Sequence, residues 1–463
     1  MIPLIKGQRK SSYDYRDNLP INMTAVVSQV EGDTGYLLAH DGLTEFADTF
    51  GTARGGYFNE RLNTQFRVSG TRLEKVNVDG TTSIIGDIGG TDICSFSESF
   101  STQAVVSNGK LWLYDGFNLT PIIDSAFSIP IDIEWFNNIY VLTDGESLYH
   151  SEVGDDYAFG ALAYTSSEFA ADPIKGLLRT DSNEIIAFNR YSTEFFYFNA
   201  SAPTGGSVLQ RINGKASRVG IVGTHCKCFL DGNIFILGGR KDESPSVHNF
   251  AGSAVNTIAT REVDKLISQY TESELNDVFM ESRTVDRDKF IIIHLPNETL
   301  LYNHTVALQA GVSSAWTILK TGENDTWRGK FGVFDPRIGK WVYGDKQENK
   351  LAYLNSQSFA QYGEEQECIF YTPIIPAKRI SINSLQIDTI PGYTAEVESC
   401  ALAISYDGVA WGQEYWTPIS SPNNYNVNYI VRRLGFVAQS FSLRFRFVSG
   451  DKIAVSGLEL NNV

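Results

Sequence analysis

The sequence predicts an all-β chain. It reads as an irregular six- or seven-bladed β-propeller-like domain over residues 35–375, with a short helical insertion at about 260–279, followed by a β-sandwich over residues 376–463. Three observations point there. Aromatic side chains are abundant, with 28 Phe, 22 Tyr and 7 Trp, and such side chains suit half-buried pleated surfaces. Short alternating apolar runs recur between turns rich in Gly and Asn. The 463 residues leave room for about three domains, or one large β domain and a smaller one, with ample core and no need of disulfides or metals.

Residues 1–34 are polar and irregular and form an N-terminal arm. Residues 13–22 read as an extended arm or an ordered loop ending at a turn, of a kind that often packs on a neighbouring subunit. From residue 35 the pattern is strand, turn, strand. Residues 65–80 alternate around Gly70, and Asn108-Gly109 lies between two apolar runs, the strongest short-range hairpin signal. Asn137-Asn138 separates 131–136 from 139–142, and further hairpins follow at 185–198, 226–239, 282–294 and 332–344. These turns fall near residues 70, 109, 138, 191, 232, 287 and 338. A four-stranded blade needs about 40 to 50 residues, so six or seven degenerate blades fit the span. A propeller also lets many short strands avoid exposed edges. Stacked β-sandwiches are the structural alternative.

One stretch reads as helix. Val263, Leu266, Ile267 and Tyr270 share one face at helical spacing, and Thr271 with Glu274 matches a capping box that starts a second short helix. Pro373, Pro376 and Lys378-Arg379 read as a linker. Strong alternation then resumes at 380–387, 401–406, 441–448 and 453–460, enough for a small sandwich or jelly roll.

Composition narrows the chemistry. A net charge of −16 makes the chain a poor candidate for gripping DNA phosphates, although DNA could slide past it. Acidity also simply favours solubility. The five cysteines, Cys94, Cys226, Cys228, Cys368 and Cys400, imply no disulfide framework and fit a reducing site of synthesis. There is no signal-peptide h-region at the N-terminus, and no apolar run reaches the roughly 18 residues of a membrane span.

No P-loop, nucleophile elbow, dinucleotide fingerprint or zincin motif is present. His225-Cys226-Lys227-Cys228 is the best metal candidate. Its two cysteines share a strand face and lack a second ligand pair nearby, so a structural role is expected. His294, inside an apolar run, reads as a satisfied buried histidine. Asp155 with Asp156, Asp286 with Asp288, and Glu364, Glu365 and Glu367 read as solvated turns in a chain with 54 carboxylates. Ser405, Asp407, Gly408 and Trp411 approach the Asp-box of sialidase propellers, one residue short between Asp and Gly; that box is a folding turn, not a catalytic group. Basic residues cluster only at Lys378-Arg379, Arg432-Arg433 and Arg444/Arg446, the last pair sharing a face and suited to salt bridges at an interface.

In order along the chain, the sequence resembles the packaged-DNA stabilisation proteins, the tail hub or nozzle subunits of lambdoid short-tailed phages (podoviruses). The resemblance is sharpest at 267–275, 278–282, 291–296 and 316–322, with Arg328-Gly329 and 344–346, and extends to 13–23, 223–227, 370–373 and 406–408. It is patchy over 30–220. It implies a structural protein of the virion tail, made in the bacterial cytoplasm, and not an enzyme. Such subunits form a homo-hexameric ring below the portal and its adaptor, carry tailspikes or fibres and the tail needle or plug, close the channel on packaged DNA, and let it pass during infection without specific binding. Two other readings remain: a sialidase-like propeller glycan hydrolase, which requires converging carboxylates and arginines on the propeller axis, and a glycan-binding receptor module using Trp411, Trp416 and Tyr425. No catalytic, cofactor-binding or metal residue is assigned, and no cofactor is expected.

Overall fold

Antiparallel pairing, mostly between sequence neighbours, builds seven sheets, each a blade; six have four strands and the fifth has five. The computed structural model describes residues 18–27, 35–202, 206–251, 254–322, 326–377, 379–389, 394–425, 429–451 and 453–462. The first strands of the blades are Ala53–Asn59, Ser95–Glu98, Asp132–Phe136, Ile174–Arg179, Gly220–Ile221 with Lys227–Leu230, Phe279–Val285 and Gly329–Asp335. Successive blades meet at or next to these strands, and blade seven lies beside blade one, so the ring closes. The closing strand is β3 (Gly42–Asp48), which pairs with Lys350–Asn355 to complete blade seven from the other end of the propeller sequence.

The seven predicted turns fall one in each blade. Those near 70, 109 and 191 join second to third strands, and those near 138, 232, 287 and 338 join first to second. That alternation explains their uneven spacing. Asn108 and Gly109 have φ of 53° and 63°, and Asn137 and Asn138 have 46° and 65°, the left-handed pairs that match strand twist in a two-residue hairpin.

The propeller core is partitioned between blades. Separate apolar clusters join blades one and two around Phe66 and Tyr114, two and three around Leu113 and Tyr140, three and four around Phe136 and Phe196, and six and seven around Ile292 and Tyr343. A sheet packed on both faces has no wet side, which is why strands such as Ile139–Thr143 are buried throughout. Where blades four and five meet, the backbones nearly touch. A Cβ on Gly220 of blade five would lie 2.1 Å from the carbonyl oxygen of Asn189 in blade four.

Helices α1 (Arg261–Ile267) and α2 (Glu272–Asn276) lie between blades five and six, where the sequence places them, and Thr271 and Glu274 form the expected capping box. A third helix, α3 (His304–Ala310), was not expected. It starts from the blade-six strand Thr299–Asn303, with the Asn303 side chain accepting from the Val306 amide.

The sandwich has two sheets, and three of its strands precede residue 376. Strands β1 (Met23–Val26) and β2 (Tyr36–Ala39) join Ala454–Asn462, Ile380–Thr389 and Tyr429–Val437 in one sheet; Gln366–Tyr371 joins Ser440–Ser449, Glu398–Ser405 and Tyr415–Ser420 in the other. This redraws the expected bounds of 1–34, 35–375 and 376–463. The chain crosses between domains after Asn355, and the expected linker lies inside the sandwich, where Ile375–Pro376 pairs with Phe441 and Ser440. Pro376 sits in this short edge strand, where a missing amide costs little. Lys378 lies outside the described residues. So do residues 1–17 of the expected arm. Its described part packs on the chain itself: Ile21 bridges to Ile318 of blade six and Ile369 of the sandwich. One continuous core then runs from blades four to six through Trp316 and Phe359 into the sandwich.

Candidate functional site

The first strands bring small and aromatic side chains to the propeller axis. A cavity of about 170 Å³ there is lined by Gly55, Gly56, Phe96, His225, Phe279 and Glu281 among others. Two more cavities, of about 390 and 230 Å³, open where the first strands begin. Ile93 and Phe331 line all three, so these two side chains separate them. Phe331 has φ of 54°, a strained conformation for an aromatic residue. Its ring stacks on Phe279 at 4.4 Å, and Phe279 stacks on His294 at 4.0 Å.

Charge is buried around this column. Lys227 of blade five reaches Asp132 of blade three at 2.8 Å, both nearly fully buried. Burial alone would raise the Asp132 carboxyl, but Lys227, His225 and the Leu177 amide outweigh it and hold it below the usual carboxylate range. His294 Nε2 lies 2.8 Å from Glu281, whose other oxygen accepts from the Gly332 amide at 2.6 Å. Burial, with Lys346 adding to it, brings His294 down to about 4, so the ring is neutral. Burial also lowers Lys330 to about 8 and Lys346 to about 7. Three buried arginines use neutral acceptors: Arg54 the carbonyls of Gly70, Gly89 and Asp92 with the Ser107 hydroxyl, Arg67 the carbonyls of Phe331 and Val342, and Arg283 Tyr343 and His40.

The other mouth lies where the first strands end. A cavity of about 560 Å³ there is lined by Tyr57, Arg61, Glu98, Phe100, Glu134, Trp135 and Arg179 among others. Burial, with Asp132 adding to it, raises the Glu134 carboxyl to about 8, and burial raises Glu98. These are the residue types that the glycan-hydrolase reading asks for. Both arginines are engaged, however: Arg61 donates to the Ser101 carbonyl, and Arg179 donates to the Trp135 carbonyl while lying over its ring. Each arginine thus turns part of its guanidinium toward the chain's own carbonyls.

The other expected candidates resolve as follows. Cys226 and Cys228 are buried, and the Cys226 thiol faces the carbonyls of Leu275 and Val278. Burial pushes the Cys226 thiol up to about 12 and the Cys228 thiol higher still, while His225 falls to about 4. Among the described residues no three His, Cys, Asp or Glu gather as a metal site. His294 is buried as expected but only half satisfied, because its Nδ1 has no partner. Asp156 is not a solvated turn. It is buried and accepts from Ser99 and Thr102, tying blade three to blade two. Asp407 accepts from the Val409 and Ala410 amides at 2.8 Å, the folding turn expected, and Trp411 packs against Tyr371. Arg444 and Arg446 both pair with Glu414 within the chain, at 3.0 and 2.7 Å. Trp416 and Tyr425 are exposed, but Trp416 lies under Arg446.

Sequence reading missed the axial charges Arg54, Arg67, Arg283, Lys330 and Lys346. Arg67 carried no signal: Phe66 and Val68 alternate with it, the pattern of a strand whose polar side chains face solvent.

Comparison with known proteins matches both domains. The family described as Bacteriophage P22 Gp10, beta-propeller, matches residues 1–359, and Bacteriophage P22 Gp10, beta-sandwich, matches residues 367–462. The chain is 27% identical to the tail hub protein gp10 of Salmonella phage P22, over 99% of this chain and 98% of that protein. Among solved structures, a streptogramin B lyase aligns with a TM-score of 0.44 at 10% identity, covering 68% of this chain and 98% of its own. The Pan2 WD40 domain of Neurospora crassa aligns with a TM-score of 0.44 at 10% identity, covering 69% and 98%. Among the described residues no helix is long and apolar enough to cross a membrane. In propeller and sandwich alike, this chain belongs to the bacteriophage P22 Gp10 family.

Proposed function

We propose that the chain is a non-enzymatic structural protein of the phage virion tail, a tail hub subunit that works in a closed ring. The observation that carries this is the end-to-end match, across both domains, to the tail hub protein of phage P22. In the finer reading the ring is a homo-hexamer below the portal-adaptor complex. It anchors tailspikes or fibres and the tail needle, retains packaged DNA and releases it on infection.

Two features support that reading. Phe331 and Ile93 fill the propeller's own axis, so a DNA passage belongs between copies of the chain. Large apolar side chains stand exposed on the outer parts of neighbouring blades two and three, with Phe117 at 92%, Ile123 at 93% and Leu162 at 67% exposure; such a patch suits a subunit contact. The ring is then cyclic, and each copy offers two different faces. Mass measurement of the purified chain with and without adaptor rings tests this. Six copies joining each adaptor ring is the expected result. A chain that ignores the adaptor and cleaves oligosaccharides would overturn the reading.

A further inference from the structure

The axial mouth where the first strands begin concentrates positive charge inside an acidic protein. Lys330 and Lys346 both line the cavity of about 390 Å³ there, with His294, Thr326 and the Phe331 ring. Lys330 also lines the neighbouring cavity together with Arg54. Among the described residues, no carboxylate lies within ion-pair distance of Lys330, Lys346, Arg54, Arg67 or Arg283. Lys346 has only the Thr299 hydroxyl, at 3.1 Å.

The nearby carboxylates are already engaged. Glu281 serves His294 and the Gly332 amide, and Asp345 pairs with Arg328 at 2.5 Å. On the rim, Glu274 caps Thr271, and Asp277 accepts from Asn276. Buried cations without a counter-charge are costly, and a ligand of opposite sign removes that cost.

We propose that this mouth binds a small oxyanion of phosphate chemistry, held by Lys330 and Lys346. The site has a second polar element. His294 is neutral, and its Nε2–H donates to Glu281, which leaves Nδ1 as a buried acceptor with no partner. A P–OH group of hydrogen phosphate is a donor of the kind that acceptor lacks, reached only if the cavity wall gives, while the charged oxygens meet the two ammonium groups. The lowered lysines agree, because an anion beside them restores their charge. The phosphate group is either a free anion or the terminal group of a nucleic-acid strand.

Thermal unfolding of the full chain in increasing inorganic phosphate, with chloride matching the ionic strength, reads the site. Wild type and the surface control Lys241→Gln should show a midpoint that rises and saturates. Lys330→Gln and Lys346→Met should need roughly tenfold more phosphate. A 5′-phosphorylated trinucleotide and its unphosphorylated twin separate the sources. Protection by inorganic phosphate assigns the free anion, and protection by the phosphorylated oligonucleotide alone assigns the strand end. If a variant does not fold, wild type labelled with ¹³C at lysine Cε answers instead: two early-titrating resonances should move to higher pH when phosphate is added. No protection by either probe, equal protection in all four chains, or lysine resonances indifferent to phosphate would overturn the site.

Discussion

The Arg67 guanidinium in blade one donates to the Phe331 carbonyl in blade seven at 2.5 Å, and to the Val342 carbonyl at 2.6 Å. The side chain is fully buried. It therefore fastens the first blade to the last at the level of the axis, and it holds the residue whose ring fills that axis. Burial lowers its pKa to about 10, so it stays charged at neutral pH.

Arg67→Met should cost about 2–4 kcal/mol, since two buried carbonyls lose a charged donor. Arg67→Lys should recover little, because an ammonium is a point donor and not a planar fork. Urea midpoints at constant m check this; a loss within experimental error would show that the closure stands without the arginine.

Asp132→Asn should destabilise the fold by about 3–5 kcal/mol, since Lys227 is left buried without its partner. The acid side follows from the depressed carboxyl. Its stabilisation is present above the unfolded value near 4 and is lost as pH falls through the lower folded value. The gap between wild type and Asp132→Asn in unfolding midpoint should thus narrow below about pH 4. A gap independent of pH would refute the linkage.

Glu134 has the opposite sign. Its folded carboxyl keeps a proton up to about pH 8, while the unfolded chain releases it near 4.3. Wild-type stability is therefore eroded as pH rises between those values. Glu134→Gln should match wild type at pH 5 and exceed it by about 1–2 kcal/mol at pH 8, a figure reduced for its partial exposure to the cavity. Equal midpoints at pH 8 would count against the raised carboxyl.

Asn22 clips the two domains together. Its side chain accepts from the Lys320 amide of the blade-six edge at 2.8 Å and donates to the Glu367 carbonyl of the sandwich at 2.9 Å. Asn22→Ala should cost about 2–3 kcal/mol and also strain a left-handed backbone with φ of 53°. Calorimetry should show the single wild-type transition broadening or splitting; an unchanged trace would place the coupling elsewhere.

Gly220→Ala should lower the unfolding midpoint sharply, because the added methyl meets the Asn189 carbonyl. The nearest large atoms are backbone, so relief requires blades four and five to move apart. A well-folded variant with an unchanged midpoint would show that they can.

Local signals carried most of the fold. Each blade announced itself through one tight turn, and Asn108-Gly109 is as legible in the sequence as in the backbone. The capping box at Thr271 was legible because both of its partners lie within four residues. Strand β2 was hidden because its partner, Ala454–Asn462, lies some four hundred residues on, and β1 because it pairs with β2 alone. Helix α3 was hidden because Asn303 ends a strand before it caps the helix. The axial site was hidden for a related reason. His294 and Lys330 come from strands of blades six and seven and Lys346 from the turn after another, and none is unusual in its own segment.

The pairing of Leu37 with Val455 and Leu38 with Ala454 has a mechanical consequence. The segment leading into the propeller is stitched to the last described strand of the sandwich, so tension on either flank falls first on that seam. The blades lie behind it. Load entering by that segment is therefore shared with the sandwich before it reaches a blade.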